Sequence, residues 1–317
     1  PMENHYGEYF SLIDLCVPGA LGNYGEFMRK FSLNGQKQID PMDMTFLQNK
    51  TSPLIMRRSK AEVLVELPEK IESTYVIDFD RPQEKIYRDI ALSWNERVKN
   101  LINTKGESKS QLQILTALLR LRQACTLPST IPDIDYPHQP PKIEELTHKV
   151  MQVVEEGHKA LIFTCFTGTL DYLETSLQSL GVPTFSLQGK TPRKKREKNL
   201  DAFKQSPAGA VLIMTLKTGG IGLNLTCANY IFHLEPWWNP ASEHQANDRA
   251  HRMGQKRSVQ VYRYLMKNSI EEKIQQLKTR KQQAFNALFA DTEDSEKVSA
   301  PMQKQHISYE DFQYLIS

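Results

Sequence analysis

Two arginines in the last third of the chain are the residues best placed to do chemistry. The apolar spacing around Arg249 and Arg252 predicts a helix from about Ser242 to Met253. Gly254 then ends that helix. At 3.6 residues per turn, Gln245, Arg249 and Arg252 share one helix face. Two guanidinium groups one turn apart could stabilise charge on a transferring phosphoryl group, as arginine fingers do. The alternative is a solvated basic face on a surface helix.

The same segment offers a metal site as a second alternative. His244, Asp248 and His251 also share one face of the predicted helix. One such face supplies too few ligands for zinc, and no cysteine or further histidine pair lies nearby. The cysteines contain no C-x-x-C pair, which favours reduced free thiols over a disulfide or zinc framework. We therefore predict no metal. The cysteines are Cys16, Cys125, Cys165 and Cys227.

A glycine-rich segment after a predicted strand is the second candidate. Gly219, Gly220 and Gly222 permit positive φ and a close approach of the backbone to a ligand. Lys217 and Asn224 flank these glycines. An ordinary turn, which is the alternative, does not account for three glycines beside a lysine and an asparagine.

A run of basic residues is the third candidate. On a helix such a run is usually a solvated face, but it could also grip nucleic-acid phosphates by charge without reading bases. The segment Gly189–Thr191 ends like a phosphate-binding P-loop, yet Thr184 stands where the first glycine is needed and Pro192 follows at once. We reject that interpretation. The basic residues are Lys190, Arg193, Lys194, Lys195, Arg196 and Lys198.

The elements that must position these residues alternate between helices and short apolar strands from Lys142 onward. Such strands are typical of a parallel sheet covered by helices on both faces. Before them, residues 1–50 carry helical periodicity broken at Pro18–Gly19, and a Pro-rich linker spans Pro128–Pro141. The predicted helices are 83–101, 111–125, 142–156, 168–179, 193–204, 242–253 and 269–289, with a terminal amphipathic segment near 309–316. The predicted strands are 74–79, 160–164, 184–187, 210–214, 230–234 and 259–265.

Length and composition allow more than one domain but assign no function. The chain has 317 residues and a mass of 36.5 kDa, enough for two compact domains. Its net charge of +3 neither demands nor excludes a nucleic acid, so any such surface must be local. No apolar run approaches the ~20 residues of a membrane span, and we expect no membrane partner. We interpret the start, Pro1–Asn4, as an internal cut rather than a natural beginning.

Three motifs in this order resemble one family. Gln-x-x-Asp-Arg-x-His-Arg-x-Gly-Gln at 245–255 resembles the last helicase motif of Swi/Snf-type proteins of helicase superfamily two. The segment 215–225 resembles the motif before it, and Glu235–Pro240 resembles the link between them, with Glu235 where an aspartate is usual. The blocks 57–60, 66–68, 119–125, 161–167 and 187–196 also resemble that family. Cys165 stands for a usual glutamine, Gln188 for an acidic residue and Lys190 for a small hydroxyl.

The resemblance implies a RecA-like α/β lobe with a parallel sheet, helices on both faces, Swi/Snf-specific helical protrusions and a C-terminal brace helix. We expect a remnant of a first lobe at 1–53, a linker and protrusion at 54–141, the second lobe at 142–268 and the brace helix and tail at 269–317. A P-loop and acidic box, which hold Mg²⁺ and ATP in the family, have no candidate in the sequence. We expect them in a missing first lobe before Pro1.

The resemblance therefore implies the C-terminal half of an ATP-driven translocase on double-stranded DNA, with a DNA-bound protein complex as an expected further partner. Arg249, Arg252 and Gln245 would be catalytic, and Gly220, Gly222 and Asn224 would meet the nucleotide. We expect this half to be inactive alone, in the bacterial nucleoid or a eukaryotic nucleus. A non-catalytic docking adaptor remains the alternative; an RNA helicase fits Trp237–Pro240 less well. The expected DNA contacts are Lys190, Arg193, Lys194, Arg196, Thr215, Lys217 and Trp238.

Overall fold

A computed structural model describes residues 6–31, 41–55, 66–206, 209–215, 218, 222–238, 240–288 and 309–316. The chain divides into two compact units. One holds residues 1–65, 238–241 and 277–306, and the other holds 66–237, 242–276 and 307–317. Within the described part, none of the helices has both the length and the hydropathy needed to cross a membrane.

The first unit is built from short helices around an aromatic cluster. Phe10 and Phe27 pack with ring centroids 5.1 Å apart, and Phe27 lies 4.6 Å from Phe31. The Tyr9 hydroxyl donates to Thr51 Oγ1 at 2.6 Å. The predicted break at Pro18–Gly19 is confirmed, because Gly19 takes a positive φ of 79° after the first helix. The helices are α1 (Tyr6–Cys16), α2 (Tyr24–Phe31) and α3 (Pro41–Thr51), followed by a 3-10 turn at Ser52–Leu54.

The second unit contains a six-stranded parallel sheet, which confirms the predicted fold class. Its strand order is β1-β6-β5-β2-β4-β3, and every pair runs parallel. Strands β2 and β4, which are neighbours inside the sheet, are almost wholly buried and apolar, as expected for a sheet covered on both faces. The strands are β1 (Lys70–Ile77), β2 (Lys159–Thr164), β3 (Thr184–Leu187), β4 (Ala210–Thr215), β5 (Tyr230–His233) and β6 (Val259–Met266).

Strand β1 joins this sheet from a distant part of the sequence. Lys70 pairs with Val259 and Ile77 with Met266, so β1 forms one edge beside β6. The sequence-based division had placed this segment in the linker and protrusion, before a lobe starting at residue 142. The sheet therefore includes a strand from outside the predicted lobe, while the wider domain division stays a prediction.

Along the sequence, two long helices lie between β1 and the other strands of the sheet. Asp80 caps the first of them, accepting a hydrogen bond from Gln83 N at 2.7 Å, and the two helices pack as a hairpin. The first of these helices extends past its predicted end at residue 101 to Lys105, and Gly106 then turns the chain into the second helix, because its φ of 79° suits glycine. The helices are α4 (Arg81–Lys105) and α5 (Glu107–Thr126), with a 3-10 turn at Pro128–Thr130.

The remaining helices cover the sheet or follow it. Two apolar clusters form the core, one around Leu161 and Phe163 and the other around Ile162 and Phe232. The buried Phe312 and Leu315 belong to the terminal helix, whose prediction near 309–316 is confirmed. These helices are α6 (Pro141–Glu155), α7 (Thr167–Ser179), α8 (Arg193–Gln205), α9 (Pro240–Asn247), α10 (Ile270–Leu288) and α11 (Tyr309–Ile316).

Candidate functional site

The two candidate arginines lie on a turn, not on a helix. Helix α9 ends at Asn247, so the predicted extension to Met253 and the shared face with Gln245 are wrong. The buried Asn247 Oδ1 lies 2.7 Å from His233 Nε2. The carbonyl of Asn247 then accepts from His251 N at 2.9 Å and from Ala250 N at 3.1 Å. Tertiary pairing of Asn247 accompanies the end of the helix, and a compact turn follows.

This turn still brings the two guanidinium groups together. Burial lowers the pKa of Arg249, and the nearby charge of Arg252 lowers it further, outweighing the opposite effect of Asp248. Both arginines are half-buried. Among the described residues, the Arg252 guanidinium has no hydrogen-bond acceptor and no carboxylate partner. Two adjacent cations, one of them without a counter-charge, are electrostatically suited to a phosphate group.

The turn is tied to the segment that follows the glycine-rich motif. Leu225 N donates to the Arg249 carbonyl at 2.9 Å. Gln255 Nε2 donates to the Ala228 carbonyl at 2.9 Å and so closes the turn from the other side. Asn224, a predicted nucleotide contact, is exposed directly before Leu225, which brings this candidate into the neighbourhood of the arginine turn.

Gly222, another predicted nucleotide contact, is exposed and has a φ of 23°. Gly220, the third, and Lys217 lie outside the described residues, as do the basic block 57–60 and Asn239. Gln245 is half-buried on α9. Gly254 has a φ of 98°, as a turn requires, but it does not end a helix as predicted.

The metal alternative is not supported in the part of the chain that the structure describes. No group of three or more His, Cys, Asp and Glu side chains there could hold an ion. His251 Nε2 donates to the Pro68 carbonyl at 2.8 Å, which fixes the start of the second unit to the arginine turn. His251 therefore has a structural contact.

Buried charges hold the loop that follows β5, and the sequence analysis assigned them no role. Glu235 is 1% exposed and accepts from Thr164 Oγ1 at 3.0 Å and from Cys165 N at 2.8 Å. Burial raises the pKa of Glu235, although those contacts and two nearby cations oppose the rise. From α5, Arg122 Nη2 donates to the Pro236 carbonyl at 3.0 Å. Cys165 stands where the family that the sequence resembles usually has a glutamine. Its Sγ also accepts a hydrogen bond from Arg122, at 3.0 Å.

One feature of the sequence could have revealed Arg122. It interrupts a stripe of apolar residues on α5 in which Leu118, Leu121 and Ala124 are buried. An arginine inside such a stripe must find buried acceptors, because leaving its charge unpaired away from water is costly. The acceptors themselves come from β2 and the loop after β5, which periodicity alone does not indicate.

A second set of ion pairs reaches the same loop from the edge of the sheet. Glu243 accepts from Trp237 N at 2.8 Å and lies 3.5 Å from Arg263 Nε. Arg263 also pairs with Glu72 at 2.7 Å, and Lys70 reaches Glu72 at 2.5 Å. Burial alone would raise the pKa of Glu72, but the two cations outweigh it and lower the pKa to about 2.

The predicted DNA-binding cations surround the start of α8. Lys190, Arg193 and Lys194 are exposed, and Arg196 is half-buried. The first turn of α8 contains no acidic residue, and Pro192 provides no side-chain cap. Cations at a helix N-terminus oppose the helix dipole, so an anion bound there would relieve an unfavourable arrangement. Arg193 also pairs with Glu197 at 2.9 Å on the exposed surface.

Thr215 and Trp238, two further predicted DNA contacts, differ in how far their side chains are exposed. Thr215 is only 8% exposed, and its hydroxyl lies 2.7 Å from that of Thr218. A phosphate could meet the Thr215 hydroxyl only if this pair opened, so its DNA contact stays a prediction. Trp238 is half-buried, whereas the neighbouring Trp237 packs against the core cluster around Leu161.

Family comparisons divide the chain at about residue 135. The profile of the SNF2-related domain matches residues 1–130, and that of the helicase conserved C-terminal domain matches residues 141–254. An ATP-dependent helicase of Mycoplasma pneumoniae is 34% identical over 283 residues, which are 89% of this chain and 26% of the relative. The chain thus spans about a quarter of that relative's length.

Solved structures agree with this assignment. The SWI2/SNF2 ATPase core of Sulfolobus solfataricus, in complex with double-stranded DNA, has a TM-score of 0.59 and 29% identity. That match covers 93% of this chain and 62% of the other. The C-terminal part of the Fun30 ATPase domain has a TM-score of 0.57 and 26% identity, covering 67% of this chain and 90% of that one.

Proposed function

Because the chain combines an SNF2-related domain with a helicase conserved C-terminal domain, it belongs to the SWI2/SNF2 family of helicase-like ATPases, and we propose that it is the C-terminal half of an ATP-driven translocase on double-stranded DNA. In this role it supplies two arginines to the phosphates of ATP and a basic surface to the DNA backbone. Its target is a DNA-bound protein complex, met in the bacterial nucleoid or, in a eukaryote, in the nucleus.

The arginine turn is the observation that carries this proposal. Arg249 and Arg252 are close enough for one charge to lower the pKa of the other, and no carboxylate within the described residues neutralises Arg252. Holding two such groups together is unfavourable without an anion. A phosphoryl group carries negative charge on its oxygens and would relieve this repulsion. The relief is greatest in the transition state of the transfer, where the two guanidinium groups stabilise the charge spread over those oxygens.

The nucleotide needs more than this half can provide. ATP supplies the phosphoryl group, and Mg²⁺ neutralises part of its charge when bound. The printed sequence has no G-x-x-x-x-G-K-[ST] loop. We therefore assign the Mg²⁺ and most phosphate contacts to a first motor lobe outside these 317 residues, with Gly220, Gly222 and Asn224 meeting the nucleotide from this side.

The DNA contacts follow from the start of α8. Its first turn is cationic and uncapped, so duplex phosphates are suitable anions. Lys190 and Lys194 carry exposed ammonium groups, while Arg196 lies deeper. Such contacts bind the backbone and leave base sequence unread. From the motif resemblance alone, Lys217 and Trp238 are also assigned to the DNA.

The test replaces one arginine in the longer protein that contains this chain and a first motor lobe. Arg252→Ala should reduce DNA-stimulated ATP hydrolysis by about a thousandfold, as the loss of an arginine finger does, while duplex binding is retained. Hydrolysis is measured by phosphate release with saturating duplex, and binding by fluorescence anisotropy.

The matched control is Arg257→Ala. Arg257 is exposed and contacts His158 Nδ1 at 3.0 Å, away from the pair, so its loss should leave hydrolysis nearly unchanged. The 317-residue chain by itself should hydrolyse no ATP with duplex present. Wild-type turnover by Arg252→Ala, or DNA-dependent hydrolysis by the chain alone, would show that the phosphate site lies elsewhere.

A further inference from the structure

A groove runs between α6 and the edge strand β1, on the sheet face opposite the Glu72 ion pairs. Its volume is about 520 Å³. Helix α6 buries Ile143, Leu146 and Val150 against the sheet, and the residues on one flank of that buried side face Tyr75 of β1. The walls are formed by Tyr75 and, from α6, by Glu145, His148, Lys149, Met151, Gln152 and Glu155.

Tyr75 lines this groove, and two tyrosines of β6 pack beside it. Tyr75 and Tyr264 are register partners on β1 and β6, and their rings stack with centroids 5.6 Å apart and 28° between planes. Tyr262 lies 5.6 Å from Tyr75 on the same face. Aromatic faces carry negative electrostatic potential and attract cations. Lys149 already lies 5.7 Å from the Tyr262 ring, which leaves the Tyr75 ring for another cation.

Tyr264 lies behind the Tyr75 ring and is closed to a ligand. It is 1% exposed, and among the described residues its hydroxyl has no hydrogen-bond partner. Burial raises the pKa of Tyr264, and the charge of Glu145 raises it further. The groups that a ligand can reach are therefore the Tyr75 ring and the glutamates of α6 that line the groove.

The charged side chains around the groove favour a ligand with a positive charge. Glu144, Glu145, Glu155 and Glu156 are exposed on or next to α6, and Glu156 raises the pKa of Tyr262 after burial and two phenols. The ammonium of Lys149 donates to Gln152 Oε1 at 2.9 Å. An anion such as a DNA phosphate would be repelled here, whereas a lysine or arginine side chain would be attracted.

The edge of the sheet supplies a backbone surface for the same ligand. Within the described chain, β1 pairs with β6 alone, so its other side presents unpaired N–H and C=O groups over eight residues. Ile71 and Val76 are 39% and 50% exposed on this strand. Extended peptides bind such edges by adding a strand, and neighbouring pockets then select side chains.

We propose that this groove, lined by Tyr75, Glu145 and Glu155, binds an extended basic segment of a partner protein. The segment adds to the β1 edge and places one lysine or arginine over the Tyr75 ring. The cationic group then donates to the Glu145 carboxylate. The surface is a protein-docking site and needs neither ATP nor DNA.

The probe is a dye-labelled, blocked octapeptide of alternating valine and threonine with one central lysine, titrated against the 317-residue chain. A second peptide carries norleucine in place of that lysine, which keeps the length and removes the charge. The lysine peptide should bind at least tenfold more tightly, measured by fluorescence anisotropy. Spectra of ¹³C-ring-labelled tyrosine should show the change at Tyr75, Tyr262 and Tyr264.

Three variants separate the proposal from a general charge effect. Tyr75→Leu removes the ring that the cation covers, so lysine-peptide affinity should fall about tenfold while the norleucine peptide binds as before. Glu145→Gln should weaken binding by a similar factor. Glu144→Gln removes the same charge one residue away, outside the groove lining, and should change affinity less than twofold.

Four results would overturn the proposal. They are equal affinity for both peptides, unchanged lysine-peptide binding by Tyr75→Leu, equal losses in the two glutamine variants, and no binding of the lysine peptide to about 1 mM. Tyrosine spectra that change with the concentration of the chain alone would instead assign the groove to a second copy of this protein, and would equally overturn it.

Discussion

The buried ion pair between α6 and α10 offers the sharpest test of the fold. Lys142 and Glu271 are both fully buried, with Lys142 Nζ 2.7 Å from Glu271 Oε1 and 2.5 Å from Oε2. Met266 N also donates to Oε2, at 2.9 Å. Glu271→Gln keeps the shape and an acceptor for Met266 but leaves the Lys142 cation buried without its counter-charge.

The expected loss of unfolding free energy is about 3–5 kcal/mol, the range seen when one partner of a buried pair is removed. The double variant Lys142→Met with Glu271→Gln removes the stranded charge and should regain most of this loss.

The assay is urea unfolding at pH 7, followed by circular dichroism and tryptophan fluorescence, with a separate transition fitted for each unit. Glu84→Gln is the control, because it breaks the exposed pair with Arg88, whose 2.5 Å contact is just as short. That variant should lose at most about 0.5 kcal/mol. The reasoning fails if Glu271→Gln loses no more than the control, or if the double variant is no more stable than the single one.

Three further variants test local features. Gly209→Ala would place a Cβ 2.1 Å from the Val154 carbonyl oxygen, so α6 must shift from β4 and stability should fall by about 1–3 kcal/mol or more in urea unfolding. The pKa of Glu72 is about 2 in the folded protein and 4.5 ordinarily, so its contribution to the free energy of unfolding is present above pH 4.5 and lost as the pH falls towards 2. Glu72→Gln should therefore flatten that part of the acid-unfolding curve. Reversing Lys194 and Lys195 to glutamate should weaken binding of any duplex about equally and flatten its salt dependence in anisotropy titrations.

Each of these has a matched control. Gly189→Ala adds a Cβ with no atom within 4 Å and should leave stability nearly unchanged. Glu84→Gln should leave the acid-unfolding curve as in the wild type. Reversing Lys85 and Lys99, two exposed lysines on α4, makes the same change of net charge and should affect duplex binding little. Identical behaviour of variant and control in any pair would remove the structural reason given for that variant.

Local periodicity in the sequence determined most helices and strands. The predicted segments 168–179, 184–187 and 193–204 agree with α7, β3 and α8 to within one residue at each end. Apolar spacing of this kind records which side of an element is buried, and it needs no knowledge of the partner. The motif order also indicated the family, which the comparisons confirm.

The end of α9 required the tertiary structure. The pattern through Met253 fits a helix, yet Asn247 pairs with His233, and Gln255 binds the carbonyls of Ala228 and Ala250. Contacts between residues far apart in sequence outweighed a local preference worth only tenths of a kcal/mol per residue. The arginine pair is therefore formed by a turn, and its catalytic role stays a prediction.

Long-range pairing decided the rest. Strand β1 joins β6 across almost two hundred residues, Arg122 reaches the loop after β5, and Lys142 meets Glu271. A sequence shows that a charge lies within an apolar stripe, but the identity of its counter-charge depends on how separate elements pack. The residues that could do chemistry were predicted from motifs. The contacts between buried charges and the groove beside β1 form only when the strands and helices pack together.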